Sequence, residues 1–191
     1  ELKNCGTGVA RNTAIKVAQG NYIAFLDSDD IWKPNKLEKQ LAVMKSSKAA
    51  ICFSSYELIN EQGESLNKLV EALPKLSYQK QLKCNYIGNL TGIYNANMLG
   101  KIYMPEIKKR QDWIMWLSAI KKGGPALGIK ESLAYYRVRK DSISSNKLNL
   151  ITYNFNVYRK ALGFGFIKST RYLTIFLYEY FFVKSKQTKS L

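Results

Sequence analysis

The stretch GTGVARNTAIKVAQGNYIAFLDSDDIWKPNKLEKQ (Gly6–Gln40) combines helical and extended patterns around three closely spaced aspartates. Apolar residues at helical spacing predict a helix over Gly8–Gln19, with Thr7 as its N-cap and Gly20 as its stop. The next segment, NYIAFL, is almost wholly apolar and predicts a buried strand. The segment DSDDIWK then predicts a loop. These patterns predict the start of an α/β domain.

A second helix is predicted after this loop. Pro34 suits a first helical position, and the segment PNKLEKQLAVMKSS has an amphipathic pattern marked by Leu37, Gln40, Leu41 and Met44. The segment AAICFSSYELI predicts a further strand, and NEQGE predicts a hairpin-type turn. Helix, strand, helix and strand in this order predict a layered α/β fold with a mixed or parallel sheet.

The rest of the chain is less regular. GNLTGIYNANML predicts a strand followed by a short helix, and RQDWIMWLSAIKKGG predicts a helix that begins near Gln111 and ends at Gly123 and Gly124. LGIKESLAYYRVR predicts a strand in which Tyr136 and Val138 alternate with two arginines.

Composition limits the possible chemistry. The 191 residues carry a net charge of +16, which favours anionic partners such as phosphorylated substrates, nucleic acid or an acidic membrane. A solvated basic surface is the simpler alternative. The absence of histidine excludes histidine-based triads and histidine metal ligands. Cys5, Cys52 and Cys84 are widely spaced, which predicts reduced thiols in a cytoplasmic setting, without a zinc site or disulfide framework.

Asp27, Asp29 and Asp30 follow the predicted strand directly. Ligands of open α/β sheets lie at the carboxyl ends of strands, and clustered carboxylates are costly unless a cation neutralises them. Hard oxygen ligands in a D-x-D arrangement suit Mg²⁺ or Mn²⁺, which also bind substrate phosphates. The alternative is a polar loop whose aspartates cap the next helix.

Three further residues are candidates. Arg11 and Asn12 lie on the helix before the aspartates, where the guanidinium could bind a phosphate with two hydrogen bonds. Taken alone, the segment is better explained by a plain surface arginine. Asp112 lies in the first turn of a predicted helix. The helix dipole favours a carboxylate there, so either helix capping or a role as an ionised general base is consistent with the position.

Together these motifs resemble the family 2 glycosyltransferases with the GT-A fold. The family pattern A-x-G-x-Y-I-x-F-L-D-x-D-D-x-W-x-P-x-K-L stands here as AQGNYIAFLDSDDIWKPNKL, preceded by the A-R-N segment. An acidic helix start follows about 80 residues later as RQDWIMWL, and the family's Y-R-x-H-x-x-S-x-S segment stands as YRVRKDSIS. The resemblance covers 6–145 and is closest to bacterial enzymes that build capsule, O-antigen and other surface glycans.

The resemblance implies an inverting transfer of a sugar from a nucleotide-sugar donor, with a UDP-sugar favoured, to a hydroxyl of a glycan or lipid-linked acceptor. Asp27, Asp29 and Asp30 would hold Mg²⁺ or Mn²⁺ and the donor's ribose and diphosphate. Asp112 would be the base that deprotonates the acceptor. The residues implied in donor binding are Arg11, Asn12, Asp27, Arg137 and Arg139.

Two departures from the family pattern carry expectations of their own. Arg139 stands where the family often has a histidine near the metal, and its guanidinium can contact phosphate but cannot ligate a metal. The family's first strand and the acidic residue that recognises the base would precede Glu1. We therefore expect an N-terminally truncated GT-A domain with an incomplete donor pocket, and weak or absent transferase activity for this chain alone.

The predicted domains are a partial GT-A domain over 1–145 and a basic, aromatic helical segment over 146–191. The second contains eight Lys or Arg and one Glu from Lys147 onward. Its apolar core, Tyr172–Val183, is shorter than the roughly 20 residues of a membrane-spanning helix. We predict a helix at the inner face of a bacterial membrane, on anionic lipid. The alternative is a helix packed on the domain through its aromatic face.

Three rival functions differ in what they require. A haloacid-dehalogenase-like phosphatase needs a second acidic pair downstream, and neither Asp112 nor Asp141 has an adjacent acidic residue. A nucleic-acid-binding module would show a basic stripe or a motif, and neither stands out, so we expect no nucleic-acid partner. An inactive glycosyltransferase-like protein remains open, because the predicted domain lacks its first strands.

Overall fold

The computed structural model describes residues 6–139 and 147–191, with side chains from 151 onward in the second range. Within these residues, the chain forms a mixed eight-stranded sheet with helices on both faces. The strands are β1 (Tyr22–Ala24), β2 (Ile31–Trp32), β3 (Ile51–Ile59), β4 (Ser65–Val70), β5 (Lys75–Leu76), β6 (Ile93–Asn95), β7 (Ala126–Arg137) and β8 (Thr188–Ser190). The α-helices are α1 (Thr7–Val17), α2 (Lys36–Ser47), α3 (Tyr78–Lys83), α4 (Ala96–Leu99), α5 (Gln111–Gly123), α6 (Lys147–Asn156) and α7 (Phe166–Tyr178).

Short turns of other helix types extend these elements. They are the 3₁₀ turns Asn89–Thr91 and Lys184–Gln187 and the π-helical turns Val157–Ala161 and Glu179–Val183. The last π-helical turn continues α7 directly, so the C-terminal segment runs from α7 to β8 without a break in structure.

Strand β3 lies at the centre of the sheet. It runs parallel to β7 on one side and antiparallel to β6 and β4 on the other, while β1 extends β6 and β8 extends β4. On its far side, β7 pairs with β5 near its beginning and with β2 near its end. This arrangement confirms the predicted α/β fold with a mixed sheet.

Helix α5 is buried on nearly all sides because it lies between the sheet and the C-terminal helices. Trp116 packs edge-on against Phe25, with ring centroids 6.1 Å apart. Trp113 lies on another face and contacts Tyr158 and Phe176, at 5.8 and 5.6 Å. The C-terminal segment therefore shares one hydrophobic core with the sheet, and aromatic pairs in edge-to-face geometry stabilise that core.

A glycine permits the close approach of α5 to the sheet. A Cβ atom at Gly92 would lie only 2.2 Å from the Trp116 ring. Position 92, which directly precedes β6, must therefore lack a side chain for Trp116 to occupy its place.

Several predicted boundaries differ from the structure. Helix α1 begins at Thr7, with Gly6 rather than Thr7 as its N-cap, and ends at Val17, before Gly20. The strand predicted over NYIAFL is limited to β1. The loop predicted over DSDDIWK contains β2, which pairs with Tyr135 and Ala134 of β7. That pairing spans about a hundred residues, so local sequence carries no sign of it.

Helix α2 begins at Lys36 with Asn35 as its N-cap, so the prediction of Pro34 as its first residue is wrong by two positions. Its buried face also differs: Leu37 is 40% exposed, whereas Lys36 is fully buried. Lys36 is buried because of its contacts with other parts of the folded chain, and helical periodicity in the sequence does not indicate such contacts.

The Lys36 ammonium lies beneath the aspartate-bearing loop. It sits 4.2 Å from the centroid of the Trp32 ring and donates to Gln40 Oε1 at 2.6 Å. Gln40 in turn donates to the Thr91 carbonyl oxygen at 2.8 Å. Burial lowers the pKa of Lys36 to about 8. A cation–π contact and one neutral acceptor thus hold this lysine in the interior.

The C-terminal segment has two faces. Phe176 is 2% exposed and packs into the core, as does the buried Glu179 of the following turn. The opposite face exposes large apolar side chains, which are Phe166, Ile167, Tyr178, Phe181 and Phe182. Among the helices of the described residues, none is both long and apolar enough to span a bilayer.

Candidate active site

The first aspartate of the loop after β1 pairs with a basic residue of α1. The Arg11 guanidinium donates to Asp27 Oδ1, and both side chains keep access to solvent, with 21% and 37% of their surface exposed. The ion pair places the guanidinium at the aspartate cluster, and part of its hydrogen-bonding surface remains accessible. The predicted contact of Arg11 with a donor diphosphate stays a prediction.

The second aspartate pairs with a residue just past β7. Asp29 Oδ2 lies 3.2 Å from Arg139 Nη2. Arg139 is more than half exposed and Asp29 is 30% exposed, so the pair faces solvent. The Arg139 guanidinium therefore contacts the D-x-D motif directly through an ion pair.

The third aspartate turns inward and supports the loop. Asp30 is 8% exposed and its Oδ1 accepts from the Arg137 backbone amide at 3.0 Å. Burial raises the pKa of Asp30 to about 6, reinforced by the charges of Asp29 and Asp27 and opposed by the Arg137 amide. The hydrogen bond to the Arg137 amide shows that Asp30 helps to hold the loop in place, and its metal ligation stays a prediction.

Arg137 fastens the loop to the β3–β4 hairpin. Its side chain donates to the carbonyl oxygens of Asp29, Asn60 and Glu61 at 2.9, 2.9 and 2.8 Å. Backbone carbonyls therefore occupy much of the donor capacity that the sequence assigned to a nucleotide sugar. These contacts indicate that Arg137 holds the aspartate-bearing loop against the β3–β4 hairpin.

Asn12 also has structural partners. Its Nδ2 donates to the Met104 carbonyl oxygen at 2.9 Å, and its Oδ1 accepts from the Met104 amide at 2.7 Å. This two-way pairing joins α1 to the segment that leads into α5. The structure thus places Asn12 near the candidate site, but its side-chain amide is occupied by hydrogen bonds to the backbone of Met104.

Asp112, the predicted base, lies in the first turn of α5, where it is half-buried. Its Oδ2 accepts a hydrogen bond from Asn85 Nδ2 at 2.8 Å. The Asn85 side chain is itself oriented by Gln81, which donates to Asn85 Oδ1 at 2.9 Å. The carboxylate therefore has a defined orientation and still has free lone pairs to accept a proton.

Tyr136 connects the two acidic regions. Burial raises the pKa of this phenol, and the charges of Asp30, Asp29, Asp27 and Asp112 raise it further. Its ring packs edge-on against the buried Tyr56, with centroids 5.9 Å apart. One phenol thus lies within electrostatic range of both the D-x-D loop and Asp112.

The aspartates do not form a complete metal cage. Among the described residues, no group of three or more Cys, Asp or Glu side chains converges to hold a metal. Asp27 and Asp29 remain as accessible hard oxygen donors. Because Mg²⁺ and Mn²⁺ keep several waters and take further oxygens from substrate phosphates, two carboxylates fit such an ion when a diphosphate completes its shell.

The structure adds residues that sequence reasoning missed. Asn85 lies in the irregular middle of the chain, where no motif indicated it, and Lys184 donates to the Asn85 carbonyl oxygen from the C-terminal segment. Arg110 directly precedes α5 with a backbone φ of 67°. Its position before Q-D was visible in the sequence, but its left-handed conformation was not.

The fold and this pair of acidic regions define a GT-A-type nucleotide-sugar transferase architecture, and comparison with known proteins agrees. The family model described as glycosyl transferase family 2 matches residues 2–136. The chain belongs to that family.

Two curated relatives are bacterial glycosyltransferases. The chain is 45% identical over 168 residues to the putative teichuronic acid biosynthesis glycosyltransferase TuaG of Bacillus subtilis, covering 88% of this chain and 67% of that protein. It is 39% identical over 153 residues to WfgD of Escherichia coli, described as a UDP-Glc:alpha-D-GlcNAc-diphosphoundecaprenol beta-1,3-glucosyltransferase, covering 80% of this chain and 59% of that protein.

Solved structures support the fold. TarS of S. aureus in complex with UDP-GlcNAc superposes with a TM-score of 0.64 at 20% identity, covering 92% of this chain and 54% of that one. The chain thus spans between about half and two thirds of these three proteins.

Proposed function

We propose that this chain contributes the catalytic part of an inverting glycosyltransferase that moves a sugar from a UDP-sugar to a hydroxyl of a surface-glycan precursor. The observation that carries the proposal is the arrangement of two solvent-accessible ion pairs, Arg11–Asp27 and Arg139–Asp29, which hold guanidinium groups against the D-x-D loop in a chain of this family. A donor diphosphate bound at the D-x-D aspartates and an acceptor hydroxyl bound at Asp112 would meet between these two regions. The described UDP-sugar use of WfgD and the UDP-GlcNAc complex of TarS support a UDP donor.

The donor side rests on Arg11, Asp27, Asp29 and Arg139. A bound Mg²⁺ or Mn²⁺ would stabilise the charge that develops on the leaving nucleoside diphosphate. Asp27 and Asp29 would hold the ion. Arg11 and Arg139 would bind phosphate oxygens after exchanging part of their present contacts with the two carboxylates.

The acceptor side rests on Asp112. Its carboxylate accepts the proton of the acceptor hydroxyl as the hydroxyl oxygen forms a bond to the anomeric carbon. The bond from that carbon to the donor phosphate oxygen breaks, and the nucleoside diphosphate leaves. Attack opposite to the leaving group inverts the anomeric configuration. Asn85 keeps the base oriented through its hydrogen bond at 2.8 Å.

The exposed apolar face of the C-terminal segment supports a peripheral position on an anionic membrane, at the inner face of the cell membrane. Phe166 and Ile167 are 68% and 85% exposed, and the exposed Lys168 and Arg171 follow on the same helix. Aromatic and aliphatic side chains interleaved with cations suit insertion at the level of anionic headgroups. Binding to phosphatidylglycerol vesicles that is lost in Phe166→Ser/Ile167→Ser tests this position.

Isothermal titration with UDP-glucose, UDP-GlcNAc and a GDP-sugar, each with and without Mn²⁺, tests the donor assignment. We expect metal-dependent binding of a UDP-sugar, weakened by Arg11→Gln because a phosphate contact is lost. Lys16→Gln removes the same charge from the exposed face of the same helix and serves as the matched control. Metal-independent binding, or equal effects of both variants, would contradict the assignment.

Turnover distinguishes an active enzyme from an inactive relative. The assay is run both on this chain and on any longer protein that carries it. Metal-dependent donor binding with no sugar transfer in either would favour the inactive alternative.

A further inference from the structure

Lys36, the first residue of α2, is fully buried. Across the described residues, no carboxylate lies within salt-bridge distance of its ammonium. A buried ammonium without an anionic partner lowers stability, whereas a methionine would fill a similar volume without that cost. Folding stability alone therefore does not account for a lysine at this position.

The side chain of Lys36 keeps its charge at neutral pH. Burial lowers its pKa to about 8, so the protonated form still dominates at pH 7. Among the described residues, Cys52 of β3 is the titratable group whose charge acts on Lys36, and burial raises the pKa of that thiol to about 11. The Trp32 ring and the Gln40 amide, which contact the ammonium, do not ionise. A titration of this cluster between pH 7 and 9 therefore belongs to Lys36.

Trp32 links Lys36 to the aspartate-bearing loop. The ammonium lies 4.2 Å from the centroid of the Trp32 ring, and the indole Nε1 donates to the Leu90 carbonyl oxygen at 2.7 Å. Trp32 belongs to β2, which begins directly after Asp30. A displaced indole would therefore move the strand that follows the aspartates.

The pairing of β2 with β7 fixes this part of the loop at two points. Trp32 lies opposite Ala134 in the antiparallel register. Farther along β7, Arg137 donates from its backbone amide to Asp30 Oδ1 at 3.0 Å and from its Nε to the Asp29 carbonyl oxygen at 2.9 Å. The segment between the aspartates and the indole is thus held against β7 at both of its ends.

Lys36 also orients a second group beneath the loop. It donates to Gln40 Oε1 at 2.6 Å, and Gln40 Nε2 donates to the Thr91 carbonyl oxygen at 2.8 Å. The carbonyl that accepts from the Trp32 indole belongs to the neighbouring residue of the same 3₁₀ turn, Asn89–Thr91. Because the ammonium contacts both the indole and the amide, it fixes these two donors relative to each other and to the turn.

We propose that Lys36 is a positioning residue of the donor site, whose ammonium holds Trp32 and, through β2, keeps the Asp29 carboxylate in the geometry that binds a metal diphosphate. This assignment rests on the proposed glycosyltransferase function and adds to it a residue that does not touch the donor. Deprotonation removes the attraction between the cation and the ring, so the loop loses this restraint when Lys36 becomes neutral. Donor affinity should therefore follow the charge of a side chain buried beneath the site.

The first test measures UDP affinity by titration calorimetry with Mg²⁺ at pH 7, 8 and 9, on this chain or on a longer protein that carries it. Wild-type affinity should fall by about tenfold over this range, which is the size of a cation–π contact shielded from water. Lys36→Met should show the lower affinity at each pH. Lys36→Arg, which stays charged, should keep the affinity of the wild type at pH 7 throughout. Lys45→Met, at an exposed position of the same helix, should behave as the wild type.

Stability separates positioning from a purely structural role. Because the folded-state pKa of Lys36 lies below 10.5, the wild type gains stability relative to Lys36→Met as the pH rises above 8. Urea unfolding should therefore show rising relative stability over the interval in which UDP affinity falls. Affinity that rose with stability, or that did not change with pH, would overturn the proposal. Lys36→Met removes the buried charge, so its comparison with the wild type stands even if the larger Lys36→Arg side chain prevents folding.

A double variant and a ligand-free signal follow the route of the effect. In a Trp32→Leu background, Lys36→Met should cause no further loss of UDP affinity, because the ring on which the ammonium acts is gone. Without ligand, the NMR resonances of the Trp32 indole and the Asp29 backbone amide should both titrate near pH 8 in the wild type and in neither case in Lys36→Met. Additive losses, or titration of the indole without Asp29, would confine Lys36 to a local role and contradict the proposal.

The proposed function and the role of Lys36 fail in different ways. Absence of Mg²⁺-dependent UDP binding by the wild type, both in this chain and in a longer protein that carries it, would contradict the glycosyltransferase function and the donor role of Lys36 together. Metal-dependent UDP binding of equal strength in wild type and Lys36→Met at pH 7 would overturn the role of Lys36 alone.

Discussion

The two acidic regions of the site differ in how their charges are balanced. At the donor side, Arg11 and Arg139 each face a carboxylate, so the cations and the acids neutralise one another. At the proposed acceptor side, Asp112 accepts a hydrogen bond from the neutral Asn85 amide and forms no salt bridge with any of the described residues. The first arrangement suits an anionic ligand that exchanges with the ion pairs, and the second suits a neutral hydroxyl whose proton the carboxylate can accept.

The largest effect is expected at the base. Asp112→Asn should lower turnover by roughly 10²–10⁴-fold, because the amide cannot accept the acceptor's proton. UDP affinity and the melting temperature should stay near the wild-type values, since the amide keeps the size of the carboxylate. Turnover is measured by UDP release, on this chain or on a longer protein that carries it. A parallel loss of UDP affinity would show that the two sides are not separate.

The next largest effect is expected at Asp29, and it tests whether Asp29 and Asp30 have different functions. Asp29→Asn should weaken Mn²⁺-dependent UDP binding by at least the roughly 10–100-fold that changes in a metal's outer shell cost. Asp30→Asn keeps an oxygen for the Arg137 amide and should leave this affinity close to that of the wild type. Titration calorimetry provides both values. Equal losses of UDP affinity in the two variants would indicate that Asp30 is a metal ligand as well.

A third prediction concerns the anchor of the C-terminal segment beside the acceptor side. Buried Glu179 accepts hydrogen bonds from Lys80 and Tyr86. Glu179→Gln should lower the free energy of unfolding at pH 7 by about 1–3 kcal/mol, because it leaves Lys80 without its charged partner. Urea unfolding measures the change, and Glu38→Gln, at an exposed position of α2, is the matched control.

The same variant predicts a pH dependence. Burial alone raises the pKa of Glu179, but hydrogen bonds from Lys80 and Tyr86 outweigh burial and lower it below 4.5. The stabilisation is therefore complete above the unfolded-state pKa and is lost as the pH falls through the lower folded-state value. The difference between wild type and Glu179→Gln should shrink below pH 4.5. A constant difference would point to packing instead of charge.

The smallest effect is expected at Lys36, which is buried beneath the aspartate-bearing loop. Burial lowers the pKa of Lys36 to about 8 from 10.5, so the folded state releases this proton first as the pH rises. The wild type should gain stability relative to Lys36→Met by up to about 1.4 kcal/mol per pH unit between pH 8 and 10.5. Urea unfolding at pH 8 and 9 tests this. Lys45→Met, at an exposed position, should show no such slope.

The fold was predictable where periodicity is local and strong. The pattern of RQDWIMWLSAIKKGG predicted α5 closely, and AAICFSSYELI with NEQGE predicted the hairpin from β3 to β4. Strand β2 could not be predicted, because two residues gain their structure only from β7. The burial of Lys36 likewise depends on Trp32 and Gln40 in the folded chain.

The candidate site was predictable as a set of residues but not as a set of roles. The D-x-D motif and RQDW indicated the candidate acids, and both regions act electrostatically on Tyr136. Which of them remain accessible depends on tertiary partners, as Arg137 shows for Asp30 and Met104 shows for Asn12. Lys184 and Asn85 come from segments without a motif, so only the fold connects them to Asp112.

Gly92 limits how this sequence can drift. Any side chain at position 92 would have to displace Trp116, whose ring packs against Phe25, two residues before Asp27. A substitution at Gly92 would therefore act on the donor carboxylates from within the protein, without touching the ligand. Gly92 is thus coupled to the proposed donor site through Trp116 and Phe25, although it touches none of the aspartates in that site.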